Sequence, residues 1–251
     1  GRGSTPALFA FDTMADVAKT PGKSEPARGA SLWSDAWRRL KKNRAALAAA
    51  IAGWRRDRGE VPGGSVLIEL EGHGREPWDA GVDLSDTVGW FTTLFPVGLA
   101  LPEIEGGDAK MAAAALGRVL KDVKEQLRAI PGRGLGYGLL RYLNEDTSAR
   151  MAGSGAAQIG FNYFGRGATS RGDPDWAPAD EAIRIAGDPA MPLFHLLDID
   201  AQTLDGPDGV RLLANWRWAR RHLGEHDVRA LANEWQTSLE ALARHAQQPG
   251  A

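Results

Sequence analysis

The chain contains no cysteine, which excludes disulfides, thiolate metal sites and cysteine nucleophiles. It also lacks an excess of charge of one sign: the formal net charge is -2, so the charge balance indicates neither nucleic acid nor an anionic membrane as a partner. No apolar run approaches the roughly 18 residues of a membrane span, and no basic segment followed by an apolar run suggests a signal peptide at the N-terminus. The 251 residues are 43% hydrophobic and 25% charged, which is typical of a globular protein, and we expect a cytoplasmic location.

Hydrophobic spacing and turn residues predict a mixture of helices and strands. Residues 1–31 are rich in Gly, Pro, Ser and Lys and are predicted to be poorly ordered, although the apolar stretch at 8–11 could dock elsewhere. The predicted helices cover residues 32–57, 108–130, 137–143 and 225–246. The predicted extended segments cover residues 65–71, 86–101, 158–164, 193–204 and 210–218, with a loop at 166–178 and a hairpin turn at 205–209. This mixture predicts an α/β or α+β fold with at least one antiparallel hairpin.

The segment EGHGRE at residues 71–76 follows the first of these strands directly. It places two carboxylates, an imidazole and a guanidinium within six residues. Its glycines let the backbone turn sharply and let a ligand approach closely, and the end of a strand holds catalytic groups still. The alternative interpretation is a solvated polar turn, which is the more common case for an arbitrary sequence.

Alternation within the segment FNYFG at residues 161–165 predicts which side chains share a face. Asn162 and Phe164 are expected on one side of the strand, with Phe161 and Tyr163 on the other. Such polar side chains could be ordinary strand neighbours or could line a pocket. By the same alternation, His195 is expected to be a structural histidine on the side of Leu197 and Ile199 rather than a ligand.

Two other patterns suggest ligand sites that the sequence context does not support. The Gly-rich segment at residues 134–138 follows a helix and lacks the Lys-Ser/Thr of a phosphate loop. The pattern HLGEH at residues 222–226 matches a zinc motif, but Gly224 lies between the histidines, which favours a loop entering a helix. The DTVGWFT segment at residues 86–92 is compatible with a core strand that has a bulge at Gly89.

Four segments nevertheless occur together and in order: EGHGRE at 71–76, DTVGWFTTLFP at 86–96, PGRGLGYG at 131–138 and FNYFG at 161–165. This set resembles the epimerization domains of nonribosomal peptide synthetases, over roughly residues 45–246. The resemblance implies one lobe, at residues 32–251, of a chloramphenicol-acetyltransferase-like fold, in which a mixed sheet is packed by helices.

The sequence departs from the family pattern in two places. Asp86 stands where the family usually has Arg, and the HHxxxDG motif of the family's N-terminal lobe is not found in this sequence. The resemblance therefore implies a C-terminal lobe that needs an N-terminal lobe carrying HHxxxDG for activity. We expect the isolated lobe to expose apolar surface and to self-associate.

The resemblance also implies the reaction and its residues. The family inverts the α-carbon of an aminoacyl or peptidyl thioester that is held on the phosphopantetheine of a peptidyl carrier protein domain, with no metal and no cofactor of its own. Glu71 is expected to act as acid and base on one face of that carbon, with Glu76 as the less favoured choice, and Tyr163 to donate a hydrogen bond to the substrate or to Glu71. The side chains expected to bind or surround the substrate are those of His73, Trp90, Tyr137 and Asn162. The alternatives are a condensation-type lobe, which forms peptide bonds, and a catalytically incomplete lobe that binds carrier protein or acts as a scaffold.

Overall fold

The computed structural model describes residues 7–13, 32–60, 63–75, 81–84, 86–102, 109–153, 155–167, 192–206 and 209–245. Within these ranges, one mixed sheet is built from six strands: β1 Ala7–Thr13, β2 Ser65–Gly72, β3 Thr93–Ala100, β4 Ile159–Gly167, β5 Leu197–Gly206 and β6 Gly209–Trp218. The α-helices described are α1 Leu32–Asp57, α2 Ala109–Arg128, α3 Glu145–Ala152 and α4 Glu225–His245. A 3₁₀ turn at Pro131–Gly134 and a π-helical turn at Leu139–Leu143 lie between α2 and α3.

The strand order across the sheet is β1-β6-β5-β4-β2-β3. β4 runs parallel to both of its neighbours, β2 and β5, whereas the other pairs are antiparallel. The C-terminal ends of β2, β4 and β5 therefore point toward the same edge of the sheet. Two glycine-containing segments meet at this edge: the one that follows Gly72 at the end of β2, and the irregular part of β4 between Tyr163 and Arg166. They are far apart in the sequence.

One face of the sheet is covered by α1, α2 and α4. Alternate residues of β2 to β6 point to this face, as the period of two requires, and form the core with the helices. The buried residues of the strands on this face include Ile68, Leu70, Phe95, Val97, Phe161, Ile199, Ala201, Trp216 and Trp218. Trp216 meets Trp235 of α4 edge to face, with ring centroids 5.7 Å apart, so the largest side chains join the two layers.

The helix α1 packs against both other core helices. Its residues from Ala45 to Ile51 are all buried, and most of them are alanines. Small side chains let neighbouring helices approach closely, which explains why an alanine-rich segment serves as the central helix of the layer.

The predicted mixed sheet packed by helices is confirmed, and several element bounds agree closely. The helix predicted at 32–57 has those bounds, and the hairpin joins β5 to β6 with Gly206 paired to Gly209. Within the segment predicted to be poorly ordered, residues 7–13 form β1 and pair with β6. The remainder of residues 1–31, and the loop predicted at 166–178 apart from residues 166–167, lie outside the described residues.

Two extended segments are shorter than predicted. The segment predicted from residue 86 is a strand only from Thr93, and in the loop before it the carbonyl oxygen of Gly89 accepts a hydrogen bond from Arg75. The strand predicted from residue 193 begins at Leu197.

Candidate functional site

The sheet face opposite the three core helices is polar at its centre. We define the polar face as the side chains that alternate with the core residues on the inner strands: Glu69 and Glu71 of β2, Asn162 of β4, Asp198 and Asp200 of β5, and Arg217 of β6. The register brings them together, since Asn162 is the partner of Asp200 and Asp198 is the partner of Arg217. Four carboxylates thus share one side of four adjacent strands.

Glu71 lies near the end of β2 and is half-buried. Its Oε2 accepts a hydrogen bond from the Nδ2 of Asn162 at 2.6 Å. Burial raises the pKa of Glu71, and the charges of Asp200 and Glu69 raise it further, while Arg217 opposes them. A raised pKa makes the protonated form of this carboxyl group more accessible, so the group can donate as well as accept a proton.

Asp200 is the second carboxyl group of the polar face with a raised pKa. Burial is the main cause, and it is opposed by the guanidinium of Arg217, whose Nη2 lies 2.8 Å from the carboxylate of Asp200. The charge of Arg217 therefore acts on both Asp200 and Glu71, and Asp200 is its ion-pair partner.

Arg44 of α1 supports the strand end from the helix layer. Its side chain is buried, and its Nη2 lies 3.5 Å from the backbone carbonyl oxygen of Glu71. Burial lowers the pKa of Arg44 to about 9. The helix therefore contacts the backbone of the residue whose side chain lies on the polar face.

The loop after β2 is tied to the loop before β3. The guanidinium of Arg75 donates to the carbonyl oxygens of Leu84 at 2.8 Å and Gly89 at 3.2 Å, and it stacks over the ring of Phe91. Gly74 has a φ of 66°, and a Cβ there would lie 1.4 Å from the Phe91 carbonyl oxygen. The second glycine of the EGHGRE segment is thus required by the close passage of another backbone.

The other three predicted substrate-binding side chains differ in their surroundings. The Nδ1 of His73 accepts a hydrogen bond from the backbone N–H of Arg75, so His73 shapes the loop. Trp90 is 89% exposed. Tyr137 packs against the core, and burial, followed by the charges of Tyr142 and Glu69, raises its pKa.

Asn162 and Tyr163 lie on opposite faces of β4, as their alternation predicts. The hydroxyl of Tyr163 is hydrogen-bonded to the Oγ1 of Thr203 at 2.7 Å, on the helix side. Tyr163 was expected to donate to the substrate or to Glu71, and of these two Glu71 lies on the opposite face of the sheet. The structure brings Glu71 and Asn162 together on the polar face, whereas Tyr163 lies on the helix face of the sheet.

His195 was not predicted to belong to the site, yet it lies on the polar face. Its Nε2 is 3.0 Å from Glu69 and its Nδ1 is 2.7 Å from Asp198. The prediction that it shares a face with Leu197 and Ile199 is wrong, because the strand begins only at Leu197 and the chain before it does not alternate. The sequence did contain an indication of an acidic face near His195, since β2 and β5 each carry two acids at alternate positions, Glu69 and Glu71 in β2 and Asp198 and Asp200 in β5.

The HLGEH pattern has the geometry of a loop entering a helix. The helix α4 begins at Glu225, so His222 precedes it and the two histidines do not share a helix face. Across the described ranges, His, Asp and Glu side chains form no group of three that could hold a metal ion.

Comparison with known proteins identifies long synthetases as relatives. Chondramide synthase cmdD of Chondromyces crocatus is 37% identical over 201 residues, which are 80% of this chain and 5% of that protein. A linear gramicidin synthase of Brevibacillus parabrevis is 35% identical over 209 residues, which are 82% of this chain and 4% of that protein. The chain thus spans only a small fraction of the relatives that it matches.

Among solved structures, the epimerization domain from the third module of tyrocidine synthetase B has the same fold. It superimposes with a TM-score of 0.67 at 24% identity, covering 97% of this chain and 49% of that one. The starter condensation domain of the rhizomide synthetase RzmA, as a double mutant, gives a TM-score of 0.53 at 15% identity, covering 98% of this chain and 48% of that one.

A family model described as the N-terminal TM domain of oligopeptide transport permease C matches residues 31–52. This short match falls almost entirely on α1, whose alanine-rich half is buried between the other core helices and the sheet. In the part of the chain that the structure describes, no helix combines the length and the apolar character needed to cross a bilayer.

Proposed function

We propose that this chain, which is a C-terminal lobe of the condensation-domain superfamily of nonribosomal peptide synthetases, supplies one wall of an amino-acid epimerization site. The substrate is an aminoacyl or peptidyl thioester on the phosphopantetheine of a peptidyl carrier domain, and the reaction inverts its α-carbon. The observation that carries the proposal is the contact between the Glu71 carboxylate and the Asn162 amide on the polar face.

The reaction requires an acid–base group whose pKa lets it both remove and return a proton. A thioester acidifies its α-proton, but removal near neutral pH still needs a positioned base on one face of the carbon and an acid on the other. Partial burial and neighbouring acids raise the pKa of Glu71 toward that range. Glu71 takes or returns the proton on its side, and the N-terminal lobe supplies the group for the opposite side.

Asn162 has an orienting role in this proposal. Its amide nitrogen donates to Oε2 of Glu71, which leaves the other carboxylate oxygen for the substrate. Tyr163 acts from the helix side, where its hydrogen bond to Thr203 joins β4 to β5 and holds the strand that carries Asn162. His73 shapes the loop beside the site.

The test uses the complete domain, in which this lobe is joined to an N-terminal lobe with HHxxxDG, together with an L-aminoacyl carrier protein in D₂O. We expect deuterium at the α-carbon and a mixture of L and D products. Glu71→Gln should lower the exchange rate by about 10²-fold or more, the usual contribution of a general acid–base group. Glu240→Gln, a matched change at an exposed position of α4 in the helix layer, should leave the rate unchanged. Wild-type exchange in Glu71→Gln would refute the proposal for this residue.

Peptide-bond formation is the competing function, since condensation domains share the fold. If donor and acceptor carriers yield a dipeptidyl thioester without α-deuterium exchange, the lobe belongs to a condensation domain. If carrier protein binds with neither product, the lobe acts as a scaffold.

A further inference from the structure

The imidazole of His195 lies on the polar face between carboxylates from two different strands. Nε2 faces Glu69 of β2 at 3.0 Å and Nδ1 faces Asp198 of β5 at 2.7 Å. Only 11% of the His195 side chain is exposed, so water contributes little to its solvation. The two strands are not adjacent, since β4 lies between them, and the imidazole therefore spans β4.

Both ring nitrogens face carboxylate oxygens, which are hydrogen-bond acceptors. A neutral imidazole has one donor nitrogen and one acceptor nitrogen, and an acceptor nitrogen facing an ionised carboxylate would be repelled. With both nitrogens protonated, both contacts become charge-assisted hydrogen bonds. The ring then places one positive charge between two negative charges.

Gly160 of β4 makes room for this arrangement. A Cβ on Gly160 would lie 2.5 Å from Oδ1 of Asp198 and 2.6 Å from Nδ1 of His195. Any larger residue would have to displace the ring or the carboxylate. The space above the central strand is therefore occupied by the imidazole and its acidic partner.

The two acids bound by His195 are neighbours of Glu71. Glu69 and Glu71 lie on the same side of β2, and the charges of Glu69 and Asp198 both act on Glu71. The other charged groups that act on Glu71 are Asp200 and Arg217, which are ion-paired with each other. Tyr137, from the segment before α3, is also close enough to Glu69 to be affected by its charge.

We propose that His195 is a positioning residue of the epimerization site, which offsets part of the negative charge of Glu69 and Asp198 and thereby sets the charge state in which Glu71 meets the substrate. This inference rests on the proposed function for its consequence in catalysis. The charge coupling itself is measurable without any reaction.

The first experiment is a pH titration of the complete domain with ¹³C-labelled glutamate carboxyl groups, in which Glu71→Gln identifies the Glu71 signal. His195→Gln removes a positive charge and should move the Glu71 midpoint upward by about one pH unit, whereas Asp198→Asn removes a negative charge and should move it downward. His226→Gln, at an exposed position in the first turn of α4, should leave the midpoint unchanged. A loss of structure would not produce shifts of opposite sign.

The acidic limb of the exchange rate against pH should follow the same shifts, because it reports deprotonation of the base. In the wild type, ¹⁵N spectra should show both ring nitrogens of His195 protonated at the pH of maximal exchange, which needs no variant to fold. A neutral His195 ring at that pH, or an unmoved Glu71 midpoint in a folded His195→Gln, would overturn the inference. If the Glu71 midpoint shifts in His195→Gln but the wild type shows no α-exchange, the proposed function is refuted and the charge coupling is supported.

Discussion

For Glu71, the protonation state that stabilises the fold differs from the state that a catalytic base requires. Burial raises the pKa of Glu71 and also that of Asp200, which means that the folded state favours the protonated carboxyl groups. The stability that they contribute is fully present below their unfolded pKa values and is lost as the pH rises through the raised folded values. The ionised Glu71 that a base requires is therefore the less stable form of this site.

This difference predicts that Glu71→Gln stabilises the lobe at about pH 7 and has no stabilising effect near pH 4. Glutamine carries no charge but keeps an oxygen that can accept from Asn162. The gain should stay below about 1 kcal/mol, because a half-buried carboxylate is partly screened by water. Urea unfolding at both pH values measures it, with Glu240→Gln as the matched control. A Glu71→Gln protein that is less stable than the wild type at pH 7 would contradict this account of the site.

At the scale of elements, the glycine before β2 and the second glycine after its start, Gly64 and Gly74, have different roles: Gly64 provides conformation alone, whereas Gly74 also provides space. Gly74 and Gly64 both have positive φ, at 66° and 84°, but a Cβ at Gly64 would meet nothing within 4 Å. At Gly74 it would overlap the backbone of the loop that precedes β3. Substituting alanine at the two positions therefore distinguishes two effects on the free energy of unfolding. At Gly64 the effect is the strain of a left-handed residue alone, and at Gly74 it also includes the displacement of a second loop.

We expect Gly64→Ala to lower the free energy of unfolding by about 1–2 kcal/mol, the usual cost of a left-handed non-glycine residue. Gly74→Ala should cost more, by at least about 2 kcal/mol beyond that, because the backbone at Phe91 must move. Denaturant midpoints of the two variants give the difference. Equal costs would mean that the two loops are not packed as described.

At the scale of the whole molecule, several large apolar side chains face solvent. Val88 is fully exposed, Phe194 is 94% exposed, Trp90 is 89% exposed and Leu143 is 76% exposed. Large exposed apolar patches are rare in monomers and typically mark surfaces that another protein covers. The solved epimerization domain with the same fold is about twice the length of this chain.

We therefore expect residues 1–251 on their own to self-associate as concentration rises. Replacing Trp90 and Leu143 together by serine should reduce the association, because it removes apolar area that water otherwise contacts. Light scattering over a concentration series measures the effect, and Lys121→Ser, at an exposed polar position of α2, serves as control. A monomer at every concentration would show that these side chains do not form an interface.

The sequence by itself determined those features that depend on neighbouring residues. The bounds of α1, the closing helix α4 with Trp235 on its apolar stripe, and the β5–β6 hairpin all follow from local periodicity and turn chemistry. The separation of Asn162 from Tyr163 also follows, because alternation in a strand is set by the backbone alone. The identification of Glu71 came from its motif and from a family resemblance.

Tertiary structure decided which side chains meet. Glu71 and Asn162 are 91 residues apart, and His195 and Glu69 are 126 residues apart, so their contacts depend on the order β5-β4-β2 in the sheet. Arg75 likewise binds the carbonyl oxygen of Gly89, 14 residues along the chain, in the loop before β3. Strand pairing and ion pairing across such separations arise only when the whole sheet has formed, since no short-range pattern records which distant backbone will supply the partner.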